Sequence, residues 1–163
     1  MPRLWVVTVL LVRHARAGRR DRWAGDDRLR PLSKKGRRQA EGIAELLAPW
    51  LKVDTTALVL SSPWVRCVQT LEPAAAAIGV PIIGEERLGE GMGEAASAAL
   101  GGWLAERPVV VCSHGDVVNA VLRRLQADGL ELGSAPASAK GSVWVLEGTT
   151  GVVERARYLR LGH

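Results

Sequence analysis

The 163-residue sequence contains no phenylalanine, one tyrosine and only two cysteines, Cys67 and Cys112. Two cysteines cannot supply the disulfide framework of a small secreted domain, so we expect both to be reduced thiols in the core. A cysteine phosphatase is excluded as well. Its signature needs an arginine six residues after the cysteine, where this chain has Pro73 and Val118.

The sequence also lacks an apolar segment long enough to cross a bilayer, which takes about 20 residues. The segment from Leu4 to Val12 is apolar apart from Thr8, and Ala15-Arg16-Ala17 behind it imitates a signal-peptide cleavage site. Its β-branched residues, and the interruption by Arg13 and His14, argue against export. We therefore expect a cytoplasmic protein with no membrane partner.

The composition is that of one folded domain over residues 1–163, with 47% hydrophobic residues and a net charge of +5. A basic surface attracts anions such as phosphorylated proteins, phosphorylated metabolites or nucleic acid. Eleven cations between Arg13 and Arg38 face only Asp21, Asp26 and Asp27. We interpret this basic stretch as attracting an anionic substrate. A nucleic-acid partner is the less favoured alternative, because no helix-turn-helix, RNA-recognition or zinc-finger signature occurs.

Strand and helix patterns alternate along the chain. Continuous apolar runs predict buried strands at 5–12, 57–60 and 108–112, and shorter patterns predict an edge strand within 79–83 and a hairpin of 142–146 with 152–159. Four helices are predicted. The first begins at the N-cap Ser33 and ends at Pro49, the second runs over 64–78 and is broken or kinked near Pro73, the third runs over 94–106, and the fourth is capped by Asp116 and ends near 126. This alternation predicts an α/β three-layer sandwich with a largely parallel central sheet flanked by helices.

Two of the three histidines follow buried strands directly. His14 ends the first strand, next to Arg13, and His114 ends the strand at 108–112; Arg66 follows the second strand after Ser61-Ser62-Pro63. A single histidine at a strand end is more often a structural hydrogen-bonding residue. Here, however, three strand ends offer two imidazoles and two guanidiniums to one crevice, at the edge where open α/β sheets bind ligands.

Such a set suits phosphoryl transfer without a metal or cofactor. Guanidinium groups bind phosphate oxygens bidentately and stay charged, so they offset the charge on the transferring group. A neutral histidine can attack phosphorus through one ring nitrogen while a backbone carbonyl holds the other N–H. We expect His14 to be this nucleophile, with water hydrolysing the phosphohistidine afterwards.

The motifs resemble those of the histidine phosphatase (phosphoglycerate mutase-like) superfamily. The resemblance is carried by Leu11-Val12-Arg13-His14-Ala15, Ser61-Ser62-Pro63-x-x-Arg66-x-x-Gln69-Thr70 and Ser113-His114-Gly115, and Pro31-Leu32-Ser33-x-x-Gly36-x-x-Gln39-Ala40 resembles the family's first helix. The short length is similar to that of SixA-type phosphohistidine phosphatases. The segments Gly25-Asp26-Asp27-x-Leu29-Arg30-Pro31-Leu32 and Lys140-Gly141-Ser142-Val143-Trp144-Val145-Leu146 also look like phosphatase halves that follow Nudix hydrolase domains in some bacterial proteins, although no Nudix box occurs here.

The resemblance implies roles for individual residues. His14 would accept the phosphate, and Arg13, Arg66 and His114 would bind and polarise the phosphoryl group. Glu90, in the loop 84–93, is the candidate general acid; the equally weighted alternative is a solvated loop charge. Ala17 and Arg20 stand where mutases have serine and asparagine, so a glycolytic mutase is disfavoured.

Three functions stay open at this point. The first is a metal-independent phosphatase acting on phosphohistidine of a signalling protein, which the resemblance to SixA-type enzymes and the lack of room for pocket-covering insertions favour. The second is hydrolysis of nucleotides or other small phosphorylated metabolites. The third, least favoured because all four core residues are present, is a non-catalytic phosphate- or nucleic-acid-binding module.

Overall fold

A computed structural model describes residues 6–51, 56–133 and 137–162. Six strands form one sheet in the order β3-β2-β4-β1-β5-β6. The strands are β1 (Val7–Arg13), β2 (Leu58–Ser61), β3 (Ile82–Gly84), β4 (Val109–Ser113), β5 (Val143–Thr149) and β6 (Val152–Leu159). The pairs β3/β2, β2/β4 and β4/β1 are parallel, whereas β5 pairs antiparallel with β1 and with β6. The hairpin is thus added to one side of a parallel four-stranded unit.

Four helices cover the two faces of the sheet: α1 (Lys34–Leu51), α2 (Val65–Ile78), α3 (Gly93–Trp103) and α4 (Gly115–Ala127). Successive side chains of β1 point to opposite faces. Leu10 and Val12 pack with residues of α1 and α2, and Val9 and Leu11 pack with residues of α3 and α4. The predicted three-layer α/β sandwich is confirmed, with an apolar core on each face of a sheet whose central strands are parallel.

Several predicted boundaries were wrong. Helix α1 passes through Pro49 and ends at Leu51, because a proline in the last turn removes one backbone hydrogen bond without ending the helix at once. Helix α2 runs over Val65–Ile78, close to the predicted bounds, and of the break or kink expected near Pro73 the break does not occur. Helix α3 ends at Trp103, short of the predicted 106. Asp116 does not cap α4: the N-cap residue is His114, and the Asp116 carboxylate accepts a hydrogen bond from the Gly91 N–H at 2.8 Å.

Other local predictions were correct. The Ser33 hydroxyl accepts from the Gly36 N–H at 3.1 Å and so caps α1. Both cysteines are free thiols in the core. The loop 18–30 contains two short 3-10 turns, Arg20–Arg22 and Asp27–Leu29. Trp5, placed at the start of the first predicted strand, lies outside the described residues. Among the described residues no helix is long and apolar enough to cross a membrane.

Candidate active site

The predicted site residues converge at the carboxyl ends of β1, β2 and β4. The His14 N–H donates to the Ser113 carbonyl at 3.0 Å, so the chain beyond β1 stays alongside β4. The Ser62 N–H donates to the Cys112 carbonyl at 2.9 Å and holds the chain beyond β2 against β4 in the same way. Three consecutive strands in the sheet therefore deliver their following residues to one crevice, as the sequence predicts.

The His14 imidazole is buried, with 7% of the residue exposed. Its Nδ1 lies 2.7 Å from the Ala15 carbonyl oxygen, so Nδ1 carries the proton and donates it there. Burial lowers the pKa of His14 to about 3; the nearby charges of His114, Arg66 and Arg13 act in the same direction, while the Ala15 hydrogen bond opposes them. At neutral pH the ring is neutral and Nε2 has a free lone pair.

A hydroxyl fixes the loop that carries His14. The Ala15 N–H donates to Thr70 Oγ1 at 2.9 Å, and this hydroxyl donates to the Arg66 carbonyl at 2.7 Å. Thr70 therefore connects the end of β1 to the first turns of α2. The threonine of the sequence motif therefore has a structural role at the site, because its hydroxyl links the backbone of Ala15, next to His14, to the backbone of Arg66.

His114 lies next to His14, with 5.5 Å between the ring centroids in an edge-to-face arrangement. Its Nε2 is 2.9 Å from Ser62 Oγ and 3.6 Å from Cys67 Sγ. Its Nδ1 is buried without a hydrogen-bond partner. A buried ring nitrogen with no partner costs free energy unless a ligand satisfies it, so this atom is suited to contact a bound group.

The Arg13 guanidinium crosses from the end of β1 to the first residue of α4. Its Nη1 donates to the Ser138 carbonyl, and its Nε is buried without a partner. A Cβ on Gly115 would lie 2.8 Å from Arg13 Cζ, so only glycine leaves room for this guanidinium. Burial lowers the pKa of Arg13 from its usual value, because few groups nearby offset the lost hydration.

Arg66 is the most deeply buried cation of the site, with 1% of the residue exposed. Its Nη1 donates to the Asp27 carbonyl at 2.8 Å, its Nη2 donates to Asp27 Oδ2 at 3.1 Å, and its Nε is buried without a partner. Hydrogen bonding to Arg30, together with the charges of Arg66, Arg30 and Arg20, lowers the pKa of Asp27. Asp27 is therefore ionised at neutral pH.

Glu90 is also brought to the site. Its Oε2 lies 3.8 Å from Arg66 Nη2, its Oε1 lies 3.9 Å from Arg20 Nη2, and 44% of its side chain is exposed. The neighbouring Gly91 has a φ of 83°, a conformation that favours glycine, and Asp116 holds its N–H. The loop thus places a carboxylate at the mouth of the crevice, beside the guanidinium of Arg66.

The crevice is a cavity of about 480 Å³. The five predicted residues share its lining with Ala17, Arg20, Arg30, Gly115, Asp116, Asn119 and Lys140. Burial, and then the charges of Arg13, Arg16, Arg30 and Arg20, lower the pKa of Lys140, which shows how strongly positive this end of the cavity is. Within the described parts of the chain, no three His, Cys, Asp or Glu side chains cluster in a way that could hold a metal ion.

Sequence reasoning missed Asp27, Asn119 and Lys140 as site residues. From the sequence, Asp27 stands among the acids that face the basic stretch and in a segment that resembles a known phosphatase half, directly before Pro31-Leu32-Ser33, but neither pattern gives it a role at the site. Lys140 begins the second segment of that resemblance, which was its available signal. It comes 127 residues after Arg13 and reaches the cavity through the fold.

These features define a histidine phosphatase type of site on a phosphoglycerate mutase-like fold. The family model of the histidine phosphatase superfamily (branch 1) matches residues 9–100. The chain belongs to this superfamily.

One curated relative is the 8-oxo-(d)GTP phosphatase of Mycolicibacterium smegmatis, which is 38% identical over 157 residues. The match covers 93% of this chain but only 48% of the relative, so the chain spans about half the length of that protein.

Solved structures show the same fold. A protein from Agrobacterium tumefaciens, provisionally named phosphohistidine phosphatase SixA, is 26% identical with a TM-score of 0.69, over 86% of this chain and 91% of that one. The protein histidine phosphatase SixA in complex with tungstate is 23% identical with a TM-score of 0.71, over 93% and 94% of the two chains. The second likeness concerns the fold alone.

Proposed function

We propose that this chain is a metal-independent phosphatase that transfers a phosphoryl group to His14 and then to water. The observation that carries the proposal is the state of His14: the Ala15 carbonyl holds Nδ1–H at 2.7 Å, and the ring is neutral at working pH. A neutral imidazole in this tautomer offers the Nε2 lone pair as a nucleophile without prior loss of a proton.

The cations around His14 support phosphoryl transfer rather than structural use of the histidine. Arg13 and Arg66 each have a buried Nε–H with no partner, and His114 has a buried Nδ1 with no partner. A bound phosphoryl group accepts hydrogen bonds at several oxygens and satisfies such donors. Together these groups would stabilise the negative charge on the equatorial oxygens in the transition state.

Glu90 completes the reaction in two steps. In the first step the bond between phosphorus and the leaving oxygen breaks as the bond to Nε2 forms, and the Glu90 carboxyl gives a proton to the leaving oxygen. In the second step Glu90 takes a proton from water as the water oxygen attacks phosphorus, and the phosphorus–Nε2 bond breaks. Inorganic phosphate leaves and His14 is restored.

The phosphoenzyme is the direct test of this function. Wild-type protein mixed with a chromogenic phosphate ester in excess chelator should turn over, and quenching should trap a phosphoryl group on His14 that is labile in acid. The variant His14→Ala should lose both signals, with a rate at least about a thousandfold lower, because the Nε2 atom that forms the bond to phosphorus is removed.

The control is His163→Ala, which removes the third histidine and should leave turnover unchanged. Turnover that survives His14→Ala, or loss of turnover in chelator, would overturn the proposal.

For the substrate, we favour a small phosphate ester or anhydride, with nucleotides first. Glu90 lies beside Arg66, where a proton donor for a poor leaving oxygen is needed. The relative that is 38% identical is named as an 8-oxo-(d)GTP phosphatase, which is a nucleotide activity. The sequence by itself favours phosphohistidine of a signalling protein, and the 26% identical SixA structure keeps that substrate as the second candidate.

The variant Glu90→Gln separates the two substrates. An ester or anhydride needs the proton, so phosphoryl transfer from it to His14 should slow about a hundredfold or more. Imidazole leaves phosphohistidine already protonated, so transfer from that substrate should be nearly unchanged. Because the variant also slows the second step for both substrates, the comparison is the single-turnover rate of phospho-His14 formation from a nucleotide panel and from a phosphohistidine protein, with wild type and variant. A wild-type preference for the phosphohistidine protein, insensitive to Glu90→Gln, would favour the second candidate.

A further inference from the structure

The loop 18–30 reaches Arg66 through a single residue, Asp27. Both of its acceptor groups act on the same guanidinium: the backbone carbonyl accepts from Nη1 at 2.8 Å and Oδ2 accepts from Nη2 at 3.1 Å. These two acceptors bind the end of the guanidinium, which is the edge formed by the two Nη atoms. Because Arg66 is almost completely buried, this contact fixes the plane of the group as well as its position.

This contact leaves the side edge of the Arg66 guanidinium, which is formed by Nε–H and Nη2–H, free to bind another group. Arg66 Nε is buried and has no partner, and Nη2 retains a second hydrogen after donating to Asp27. These two N–H groups lie in one plane with parallel directions, which is the arrangement that binds two oxygens of a phosphoryl group. Glu90 Oε2, 3.8 Å from Nη2, lies near this edge.

We propose that Asp27 is a positioning residue for phosphoryl transfer: it holds Arg66 by the end of its guanidinium and presents the side edge to the phosphoryl group. The proposal rests on the function proposed above for His14. Asp27 does not touch the substrate in this role and acts only through Arg66.

Asp27 is itself held in place by other cations of the loop. Its Oδ1 accepts from Arg30 Nε at 2.8 Å, and Arg20 Nη2 is 3.7 Å from Oδ2. Arg30 Nη1 in turn donates to the Gly18 carbonyl at 2.5 Å. The Asp27 carboxylate thus links α2 to Arg30 at one end of the loop 18–30 and, through Arg30, to Gly18 at the other end. Folding of this loop therefore orients Arg66.

Loss of Asp27 should therefore have two separable effects. Removing a negative charge makes the cavity more positive, so binding of an anionic substrate should not weaken. Releasing the guanidinium lets it leave the productive orientation, which slows the chemical step. The expected signature is a lower kcat with a KM that is unchanged or lower, whereas a residue that only binds substrate would raise KM.

The test compares Asp27→Ala and Asp27→Asn with Asp26→Asn as the matched control. Asp26 is the adjacent acid in the same loop, and its carboxylate accepts from the Arg28 N–H rather than from Arg66. Hydrogen bonds to a charged group support about a ten- to hundredfold fall of kcat in Asp27→Ala. Asp27→Asn keeps one side-chain acceptor and should lose less, and Asp26→Asn should retain wild-type kcat.

A double-mutant cycle shows whether Asp27 acts through Arg66. In an Arg66→Lys background, Asp27→Asn should cause no further loss of kcat, because the planar fork that it orients is gone. Multiplicative losses in the double variant would overturn the proposal, as would a raised KM with normal kcat. An equal loss in Asp26→Asn would also overturn it, because a general effect on the loop would then be sufficient.

This outcome is distinguishable from failure of the proposed function. Trapping of phospho-His14 in the wild-type protein is measured first. If no phosphoenzyme forms, the function fails. If it forms and the Asp27 variants match Asp26→Asn, only the positioning role fails. Thermal melting of each variant shows whether it is folded. If Asp27→Ala does not fold, Asp27→Asn, which has the size of the native residue, tests the positioning role.

Discussion

At the scale of single residues, burial sets the chemistry of His14. Loss of hydration on burial is the main reason that a positive imidazole is disfavoured, and the nearby His114, Arg66 and Arg13 act in the same direction. The hydrogen bond to the Ala15 carbonyl opposes this trend but is too weak to reverse it. Folding therefore keeps the His14 imidazole neutral and loses stability in mild acid, because the unfolded chain binds a proton there that the folded chain does not.

A pH titration of stability tests this coupling. The folded pKa of about 3 lies below the ordinary value of 6.5, so His14 contributes stability above pH 6.5 that is lost as pH falls towards 3. Between these limits the free energy of unfolding should fall by up to about 1.4 kcal/mol per pH unit more in wild type than in His14→Gln. Urea unfolding of both proteins at pH 7, about 6 and about 5, followed by tryptophan fluorescence, measures the difference. Parallel pH profiles would contradict the lowered pKa.

At the scale of elements, helix α1 is packed against the backbone that follows His14. A Cβ on Gly36 would lie 1.9 Å from the Arg16 carbonyl oxygen, closer than any real contact. The Ser33 N–H donates to the same carbonyl at 3.0 Å, and the Arg16 N–H donates to Gln39 Oε1 at 2.9 Å. The start of α1 therefore contacts the backbone of Arg16, two residues beyond His14. The absence of a Cβ on Gly36 allows the helix to approach this backbone closely.

Replacing this glycine should cost stability. Gly36→Ala forces helix and loop apart, and we expect a loss of about 1–3 kcal/mol in the free energy of unfolding, together with lower turnover. Gly102→Ala is the matched control in α3, where nothing lies within 4 Å of the added Cβ, and it should raise stability by about 0.4–1 kcal/mol. Urea denaturation gives both values. Equal stability of the two variants would show that α1 can shift without cost.

At the scale of the whole molecule, the charge is asymmetric about the cavity. The chain carries a net charge of +5, and the cavity gathers Arg13, Arg20, Arg30, Arg66 and Lys140 around few acids. A concave site with one sign of charge focuses its field and attracts anionic substrates from a distance. Part of the basic stretch pairs with an acid inside the structure, because Arg30 Nε donates to Asp27 Oδ1 at 2.8 Å and Arg20 Nη2 lies 3.7 Å from Asp27 Oδ2.

Salt should therefore weaken capture of the substrate. Raising NaCl from about 20 mM to about 500 mM shortens the screening length several-fold, and kcat/KM should fall about tenfold. Lys140→Gln should reduce this salt dependence, because it removes a cation from the cavity wall. Arg124 is exposed on α4, about 13 Å along the helix from Gly115, so Arg124→Gln removes the same charge and should not change the salt dependence. Similar slopes for the two variants would contradict local attraction.

Much of this architecture was predictable because its signals are local. Apolar runs identify the buried strands, and the strand ends carry Arg13, His14 and His114, so parallel pairing alone is enough to bring them to one edge. Ser33 identifies the start of α1 by its capping chemistry. The predictions for Pro49 and Asp116 were wrong for a common reason: local preference there is overridden, in one case by the packing of the last helical turn and in the other by a bond to Gly91.

The sequence by itself determined which chemical groups meet at the site: Arg13 and His14 at the end of one buried strand, and Arg66 and His114 after two others. Only the tertiary structure decided how that chemistry is oriented. Asp27 and Lys140 come from loops, whose paths depend on what they pack against and leave no periodic pattern. Burial likewise depends on all the layers of the fold. The low pKa of His14 and the hydrogen bonds between Asp27 and Arg66 require the helices, the sheet edge and the loop to exclude water together.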